Sequence, residues 1–196
     1  MRIDKPANSF IICGVDRLGK SSLIKRIKDE FGFHQIIHYE KPELLAVYQQ
    51  ETHGIAAAQQ EYQAQSFIAG FKMLESGAPL ICDRFHLGET VYSPRYRGYS
   101  GDYVFDLEFV HLKRMSERNE FYIPKLILLT TSDFSFIQDD GLSFDFSKKE
   151  EEQEDFKKAF YRSQLPKVMI DVSDGKGGFR DPDDIFEEAM NEFFVY

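Results

Sequence analysis

Phe10-Ile-Ile-Cys-Gly14-Val-Asp-Arg-Leu-Gly19-Lys20-Ser21-Ser22 is the stretch that decides the fold of this chain. An apolar run typical of a buried strand precedes the pattern Gly-x-x-x-x-Gly-Lys-Ser, and Leu23, Ile24 and Ile27 continue it with the apolar spacing of a helix. In this context the pattern is the Walker A motif, whose glycines let successive backbone N–H groups converge on phosphate oxygens. The positive dipole end of the following helix points at the same oxygens. The stretch therefore predicts a nucleotide-binding loop.

The residues of this loop have separate expected roles in binding ATP. Lys20 would reach the β- and γ-phosphates, and the Ser21 hydroxyl would hold Mg²⁺. A glycine-rich turn without a ligand is the alternative, and the agreement of strand, loop and amphipathic helix argues against it. The predicted ATP-binding residues are Gly14, Val15, Asp16, Arg17, Leu18, Gly19, Lys20, Ser21 and Ser22.

Length, composition and charge limit the remaining choices. The chain has 196 residues, of which 42% are hydrophobic and 29% charged, which is typical of one globular domain. Its formal net charge of −9 repels polyanions, so small nucleotides are better candidate partners than long nucleic acid. Cys13 and Cys82 both fall in predicted core strands, where we expect reduced thiols and hence a cytoplasmic protein. We see no signal peptide and no apolar run of membrane-spanning length.

Apolar strand patterns alternate with helical patterns along the chain. This order predicts an α/β fold, with a five-stranded parallel sheet between two layers of helices in a single domain over 1–196. The irregular segment 132–149 is a candidate lid, and we interpret the charge run at 148–154 as a solvated helix face. The predicted strands are 9–15, 35–39, 80–85, 125–131 and 167–172, and the predicted helices are 18–30, 43–51, 55–76, 102–119, 148–162 and 181–194.

A second motif follows the third predicted strand, in Leu80-Ile-Cys-Asp83-Arg84-Phe85. An apolar strand that ends in a carboxylate matches the Walker B arrangement. There Asp83 would orient Mg²⁺ through its water shell. The alternative for Asp83 is a cap or a salt bridge, because many strands end in Asp.

With the nucleotide loop, Asp83-Arg84-Phe85 resembles the thymidylate kinases and related nucleoside monophosphate kinases, with a viral member as one option. The segment 83–92 is similar to the family's Asp-Arg-aromatic-x-x-Ser-x-x-Ala-Tyr, with Gly88 in place of Ser and Val91 in place of Ala. Tyr39-Glu-Lys41-Pro resembles the family's Arg-Glu-Pro region, with Lys as the cation. The resemblance implies a three-layer α/β/α P-loop kinase fold with a lid segment.

The resemblance also implies which residues act on phosphate. A nucleotide loop with Asp16 and Arg17 between its glycines is similar to the eukaryotic-type family loop, in which the Arg supplies transition-state charge and the lid has no Arg. The segment 132–149 indeed contains no Arg, and its cations Lys148 and Lys149 lie at its far end, on the helix expected to be solvated. The implied catalytic residues are Lys20, Arg17, Asp16 and Arg84, with Ser21 and Asp83 for the metal.

The acceptor site departs further from the family. Arg84 and Lys41 would clamp the acceptor phosphate, and Asp16 would meet its sugar. Residues 56–74 contain no Arg to hold thymine, so the base could differ from thymine. The segment 93–106 fits either cationic contacts to substrate or a packed aromatic loop. The side chains predicted to complete the acceptor site are Gln63, Phe67, Tyr92 and Arg95.

These observations together favour Mg²⁺-dependent transfer of a phosphoryl group from ATP to a deoxynucleoside monophosphate, dTMP or a related pyrimidine nucleotide. One alternative is a hydroxyl acceptor, a nucleoside or a hydroxymethyl pyrimidine in DNA, which needs a base such as Asp16, Asp83 or Glu89. The other is a nucleotide-binding module without catalysis. A homodimer is left open.

Overall fold

The computed structural model describes residues 8–32, 34–39, 53–118, 123–139 and 145–194, and for residues 53–55 the backbone alone. Five strands alternate with six α-helices and two short helices in this part of the chain. In chain order they are β1 Phe10–Cys13, α1 Lys20–Phe31, β2 Gln35–His38, α2 His53–Glu75, β3 Leu80–Asp83, α3 Leu87–Tyr92, a π-helix Ser93–Arg97, α4 Tyr103–Arg118, β4 Lys125–Thr130, a 3-10 helix Phe146–Lys148, α5 Lys149–Arg162, β5 Lys167–Asp171 and α6 Pro182–Phe193.

The five strands form one parallel sheet in the order β2-β3-β1-β4-β5. This confirms the predicted α/β fold with five parallel strands. Every residue of β1 and β3 is buried, as expected for strands that are covered on both faces, whereas β2 is a partly exposed edge strand. Because all five strands are parallel, their carboxyl ends share one edge of the sheet, where ligands bind in open α/β folds.

The helices cover both faces of the sheet. Helix α1 packs against α6, whereas α2 packs against α4 and α3 packs against α5. Right-handed crossovers place α1 on one face and α2 to α5 on the other, because the chain moves in opposite directions across the sheet after β1 and after β2. Helix α6 follows the last strand, and its packing against α1 places it on the same face as α1. Cys13 and Cys82 are buried free thiols, and burial raises the pKa of each to about 12.

The structure differs from the sequence prediction after β3. The stretch 86–97 carries no predicted helix, yet it forms α3 and the π-helix without a break. Gly88 and Pro94 disfavour helices in general, but Pro94 stands in the first turn of the π-helix, where proline is tolerated. The predicted helix at 43–51 lies outside the described residues.

Only part of the charge run at the start of α5 forms the solvated face that we predicted. Lys149, Glu152 and Gln153 are all buried in this helix. Gln153 accepts a hydrogen bond from the Thr131 backbone N–H at 2.7 Å and donates one to the Thr131 carbonyl at 2.9 Å. The amide thus replaces the ladder partners of a strand end, so α5 is fixed to the end of β4.

Candidate active site

The nucleotide loop turns tightly between β1 and α1. Gly14 has φ 137°, and a Cβ atom there would collide with the carbonyl oxygen of Leu129 in β4. Gly19 has φ 78° and precedes the first residue of α1, Lys20. Both positions therefore need glycine for conformational reasons, and Gly14 needs it for space as well. Helix α1 begins directly after the loop, so its N-terminus faces the loop, as the sequence predicts.

The Lys20 ammonium lies inside this loop. It donates to the carbonyls of Gly14 at 3.0 Å and of Val15 at 2.7 Å, and Lys20 is only 7% exposed. Burial lowers the pKa of Lys20 to about 8, against the opposing effect of the nearby Asp16 carboxylate. A bound phosphate would compensate for the burial more fully than neutral carbonyls do.

Asp16 is the centre of a group of cations. Its Oδ1 accepts a hydrogen bond from Arg84 at 2.6 Å and lies 3.8 Å from the Lys20 ammonium. Its Oδ2 lies 3.7 Å from the ammonium of Lys149, the first residue of α5. Lys149 is only 4% exposed, so our placement of this lysine on a solvated helix is wrong. The reason is that α5 packs its first turn against the nucleotide loop instead of extending from it.

Two arginines at the site have left-handed backbone conformations. Arg17 has φ 72° and Arg84 has φ 57°, and they are the non-glycine residues with positive φ in the part of the chain that the structure describes. Such a conformation costs a non-glycine residue roughly 1–2 kcal/mol. Strained residues of this kind cluster at functional sites. The Arg84 N–H donates to the Ile12 carbonyl, which fixes the strained turn after β3 to the end of β1.

The predicted metal ligands, Ser21 and Asp83, lie at the carboxyl edge of the sheet, where they line one cavity. Asp83 is 6% exposed, and its Oδ2 is 2.7 Å from His38 Nδ1, at the end of β2. Its Oδ1 is buried without a hydrogen-bond partner among the described residues. A buried carboxylate oxygen that lacks a donor fits a nearby cation or its water shell. Asp83 and Ser21 are therefore suited to hold Mg²⁺ together with nucleotide phosphates.

The cavity at the carboxyl edge has a volume of about 720 Å³. The loop residues from Asp16 to Ser22 line it together with Asp83 and Arg84, so the structure brings the predicted phosphate and metal residues together. Sequence reasoning missed several residues on its walls, although the strand ends and the glycine-rich loop after β5 gave a signal for some of them. These are Leu23, His38, Leu129, Phe179, Arg180, Pro182 and Ile185.

The glycine-rich loop 174–178 places Phe179 on the cavity wall. Ser173 and Phe179 form an antiparallel bridge, and the Asp174 side chain accepts hydrogen bonds from the N–H groups of Lys176 and Gly178. Phe179 is 48% exposed, and its ring packs in a T-shaped arrangement with Phe136 of the candidate lid, at 4.7 Å between ring centroids. The loop thus places an aromatic ring on the cavity wall.

The predicted acceptor residues are arranged differently. None of Gln63, Phe67, Tyr92 and Arg95 lines this cavity as the described residues define it, and Lys41 lies outside those residues. Phe67 is buried in the core, where it packs against Tyr39 and Phe85. Tyr92 is close enough to Asp16 for that carboxylate to add to the effect of burial, which raises the tyrosine pKa well above its ordinary value. Tyr92 therefore lies near the Asp16 carboxylate without lining the cavity.

The segment after α3 is packed rather than open. Arg95 in the π-helix pairs with Asp155 and with Glu151 of α5, and Arg97 pairs with the buried carboxylate of Glu89. The hydroxyls of Tyr99 at 2.7 Å and Tyr103 at 3.0 Å also donate to Glu89. Of the two interpretations of 93–106, these contacts favour the packed aromatic loop. They also leave Glu89 poorly suited to act as a catalytic base.

Comparison with known proteins places the fold. No family model and no curated protein sequence matches the chain. Among solved structures, YorR protein from Bacillus subtilis, in complex with phosphorylated GDP, has a TM-score of 0.59 at 16% identity over 96% of this chain and 100% of its own. Thymidylate kinase from Candida albicans has a TM-score of 0.57 at 14% identity over 92% of this chain and 88% of its own.

Deoxyadenosine kinase from M. mycoides with bound dATP has a TM-score of 0.55 at 20% identity over 94% of this chain and 98% of its own. At these identities the likeness shows the fold alone. The chain therefore shares the α/β fold of these three solved structures. A search of the described helices finds none that combines the length and apolar character of a membrane span.

Proposed function

We propose that this protein is a Mg²⁺-dependent nucleotide kinase that transfers the γ-phosphoryl group of ATP to a deoxynucleoside monophosphate, dTMP or a related pyrimidine nucleotide. The observation that carries the proposal is the meeting of Lys20, Asp16, Asp83 and Arg84 in one cavity at the carboxyl edge of the sheet. Phosphoryl transfer needs mainly positioning and charge neutralisation, and this group of residues supplies both. The kinase fold supports the general activity.

The residue types that line the cavity suggest a division of roles. Lys20, the loop N–H groups and Arg17 would hold the migrating phosphoryl group, and the face of Phe179 would stack on the donor base. Arg84 would bind the acceptor phosphate, and Asp16 the acceptor sugar. When bound by Ser21 and Asp83, Mg²⁺ would neutralise phosphate charge. An acceptor phosphate oxygen is already anionic, so this reaction needs no general base.

The test is a panel of acceptors with Mg-ATP, with the products identified by mass. The panel contains deoxynucleoside and ribonucleoside monophosphates of pyrimidines and purines, modified pyrimidine monophosphates, nucleosides and hydroxymethylated DNA. We expect a diphosphate product from a deoxypyrimidine monophosphate and none with Lys20→Ala, whose fold is checked by circular dichroism. A wild-type protein that hydrolyses ATP slowly and uses no acceptor would instead be a nucleotide-binding module.

One observation favours a second candidate, the hydroxyl acceptor. His38 lines the cavity, and the Asp83 carboxylate holds its Nδ1 at 2.7 Å. A histidine oriented by a carboxylate is a common arrangement for taking a proton from a hydroxyl. If nucleosides or hydroxymethylated DNA are the acceptors in the panel, His38→Gln should lower kcat with them. If monophosphates are the acceptors, His38→Gln should have little effect on kcat, because that reaction needs no proton transfer.

The wider expectations are proposals as well. Three of them stay predictions: small nucleotides as partners, a cytoplasmic location and a viral relationship. Size-exclusion chromatography with light scattering would decide between a monomer and a homodimer.

A further inference from the structure

Lys149 reaches the nucleotide loop from a helix that sequence analysis placed in solvent. Its ammonium lies 3.7 Å from Asp16 Oδ2 and 3.1 Å from Glu152 Oε2, one turn further along α5. Glu152 is itself only 1% exposed and accepts a hydrogen bond at 2.8 Å from the Tyr96 hydroxyl of the π-helix. The Lys149 ammonium thus lies between the carboxylates of Asp16 and Glu152, and the hydrogen bond from Tyr96 fixes the Glu152 carboxylate.

The carboxylate of Asp16 creates an electrostatic problem for a phosphate site. It lines the cavity and lies 3.8 Å from the Lys20 ammonium, where the phosphates of a nucleotide are expected. Like charges at such distances repel each other strongly in a partly buried site. A loop with this residue needs counter-ions that remain with the carboxylate when the nucleotide is bound.

The three cations around Asp16 differ in whether they can remain. Lys20 and Arg84 line the cavity, so bound phosphates would draw both of them away from the carboxylate. Lys149 is not one of the residues that line it, and Glu152 holds its ammonium from the other side. Of these three cations, Lys149 is therefore the one placed to stay on Asp16 in the occupied site.

We propose that Lys149 is a positioning residue that fixes and neutralises Asp16, so that a nucleotide loop with a carboxylate can accept a polyphosphate. The inference rests on the ATP site of the proposed function. Arg84 and Lys149 contact different oxygens of Asp16, which defines the orientation of this carboxylate. In the occupied protein Lys149 alone keeps that orientation. The effect of Lys149 on nucleotide binding should then depend on the charge of Asp16.

The experiment is a double-mutant cycle on Mg-ATP affinity, measured by equilibrium binding in wild type, Lys149→Met, Asp16→Asn and the double variant. We expect Lys149→Met to weaken binding about tenfold, because the phosphates then face an uncompensated carboxylate. Adding Asp16→Asn should restore the affinity to within about twofold of wild type, since the repulsion is gone. Lys149→Arg should bind Mg-ATP nearly as well as wild type.

Lys148 provides the matched control. It precedes Lys149 directly but is 45% exposed and pairs with Glu151, so Lys148→Met should leave the affinity unchanged. If Lys149→Met does not fold, Lys149→Met combined with Glu152→Gln replaces it in the cycle, because this pair leaves no unpaired buried carboxylate on α5. Thermal unfolding in the absence of nucleotide shows whether Lys149→Met is folded, and this decides which of the two variants enters the cycle.

The outcomes separate the inference from its alternatives. If Lys149→Met weakens binding equally with and without the Asp16 carboxylate, Lys149 is only a structural ion pair of α5 and the inference is wrong. Unchanged affinity in Lys149→Met overturns it as well, as does a wild type that does not bind Mg-ATP. If wild type binds Mg-ATP but transfers phosphate to no acceptor, the proposed function fails while the affinity cycle still decides the inference.

Discussion

At the scale of single residues, Arg17 is the sharpest test of how the site stabilises transferred phosphate. It lines the cavity from between the two loop glycines, whereas the candidate lid contains no arginine. We expect Arg17→Ala to lower kcat on the order of 10³-fold, by analogy with arginine fingers, and to leave ATP binding nearly unchanged. Steady-state kinetics with an independent measurement of ATP affinity checks this.

Two further variants at the same position separate charge from backbone strain. Arg17→Gly suits the left-handed conformation at φ 72°, so it should lose activity like Arg17→Ala without added strain. Arg17→Lys should restore only part of the activity, since an ammonium cannot form a bidentate pair with phosphate. A normal kcat in Arg17→Gly would show that the catalytic cation lies elsewhere.

Arg84 should act on the acceptor rather than on ATP. The loss of its charged hydrogen bonds to a phosphate predicts an increase of about 100-fold in acceptor KM for Arg84→Ala, with a much smaller change in ATP affinity. Arg95→Ala is the comparison, because Asp155 and Glu151 already hold that guanidinium. If Arg95→Ala raises acceptor KM as much as Arg84→Ala does, our sequence-based assignment of Arg95 to the acceptor site gains support and the division of roles needs revision.

Residue types at fixed spacing were sufficient to predict that the nucleotide loop and the end of β3 lie side by side. Gly19, Lys20 and Asp83 belong to motifs whose chemistry demands those residues, and the structure brings them into one cavity. Lys149 and His38 could not be found in this way. Their importance comes from contacts between distant segments, to Asp16 and to Asp83, and no local pattern in the sequence encodes those contacts.

At the scale of secondary-structure elements, a buried carboxylate joins three helices. Glu108 of α4 accepts hydrogen bonds from His86, just before α3, and from the Ser163 hydroxyl and Gln164 N–H, just after α5. Burial alone would raise the pKa of Glu108. The hydrogen bonds from His86, Gln164 and Ser163 outweigh that effect and hold its pKa below the ordinary value of 4.5.

This network predicts a pH-dependent contribution to stability. Because the folded-state pKa is lowered, the contribution is fully present above pH 4.5 and is lost as the pH falls through the folded-state value. Glu108→Gln should therefore reduce the free energy of unfolding by about 1–3 kcal/mol at pH 7, with a difference from wild type that shrinks in acid. Urea unfolding at several pH values measures it. Glu117→Gln, at an exposed position of the same helix, should show no such trend.

Helix α5 shows why element-level prediction succeeded only in part. Its position follows from composition and periodicity, and the structure confirms a helix there, at Lys149–Arg162. Its orientation does not follow, because a run of charged residues looks solvated until the opposite charges on other elements are known. Arg95, Tyr96 and Asp16 supply those partners from two distant segments.

At the scale of the whole molecule, the cavity is lined by residues at or after the carboxyl ends of all five strands. The nucleotide loop follows β1, His38 ends β2, Asp83 ends β3, Leu129 lies near the end of β4, and Phe179 belongs to the loop after β5. A ligand in this cavity therefore bridges elements from the whole fold. Alternation of strands and helices predicted the parallel sheet and this edge, whereas the strand order depends on packing that the sequence pattern does not specify.

A ligand that bridges so many elements should stabilise the fold as a unit. Mg-ATP at 100 times its Kd should add about 2.7 kcal/mol to the free energy of unfolding. For a chain of 196 residues this corresponds to an increase in Tm of roughly 5–10 °C. Calorimetry with and without EDTA measures the share due to the metal, and Ser21→Ala should reduce that share. An equal shift with and without EDTA would contradict the assignment of Ser21 and Asp83 to Mg²⁺.

The left-handed backbone at Arg17 has a consequence for laboratory evolution of this protein. Glycine relieves the conformational strain at an exposed position, so a library selected only for thermal tolerance should enrich Arg17→Gly. The enriched variants should have a higher Tm and a lower kcat than wild type. Sequencing the selected variants and measuring their kcat tests this. Thermal stability and turnover rate then favour different residues at position 17, and only a selection for both would retain the arginine.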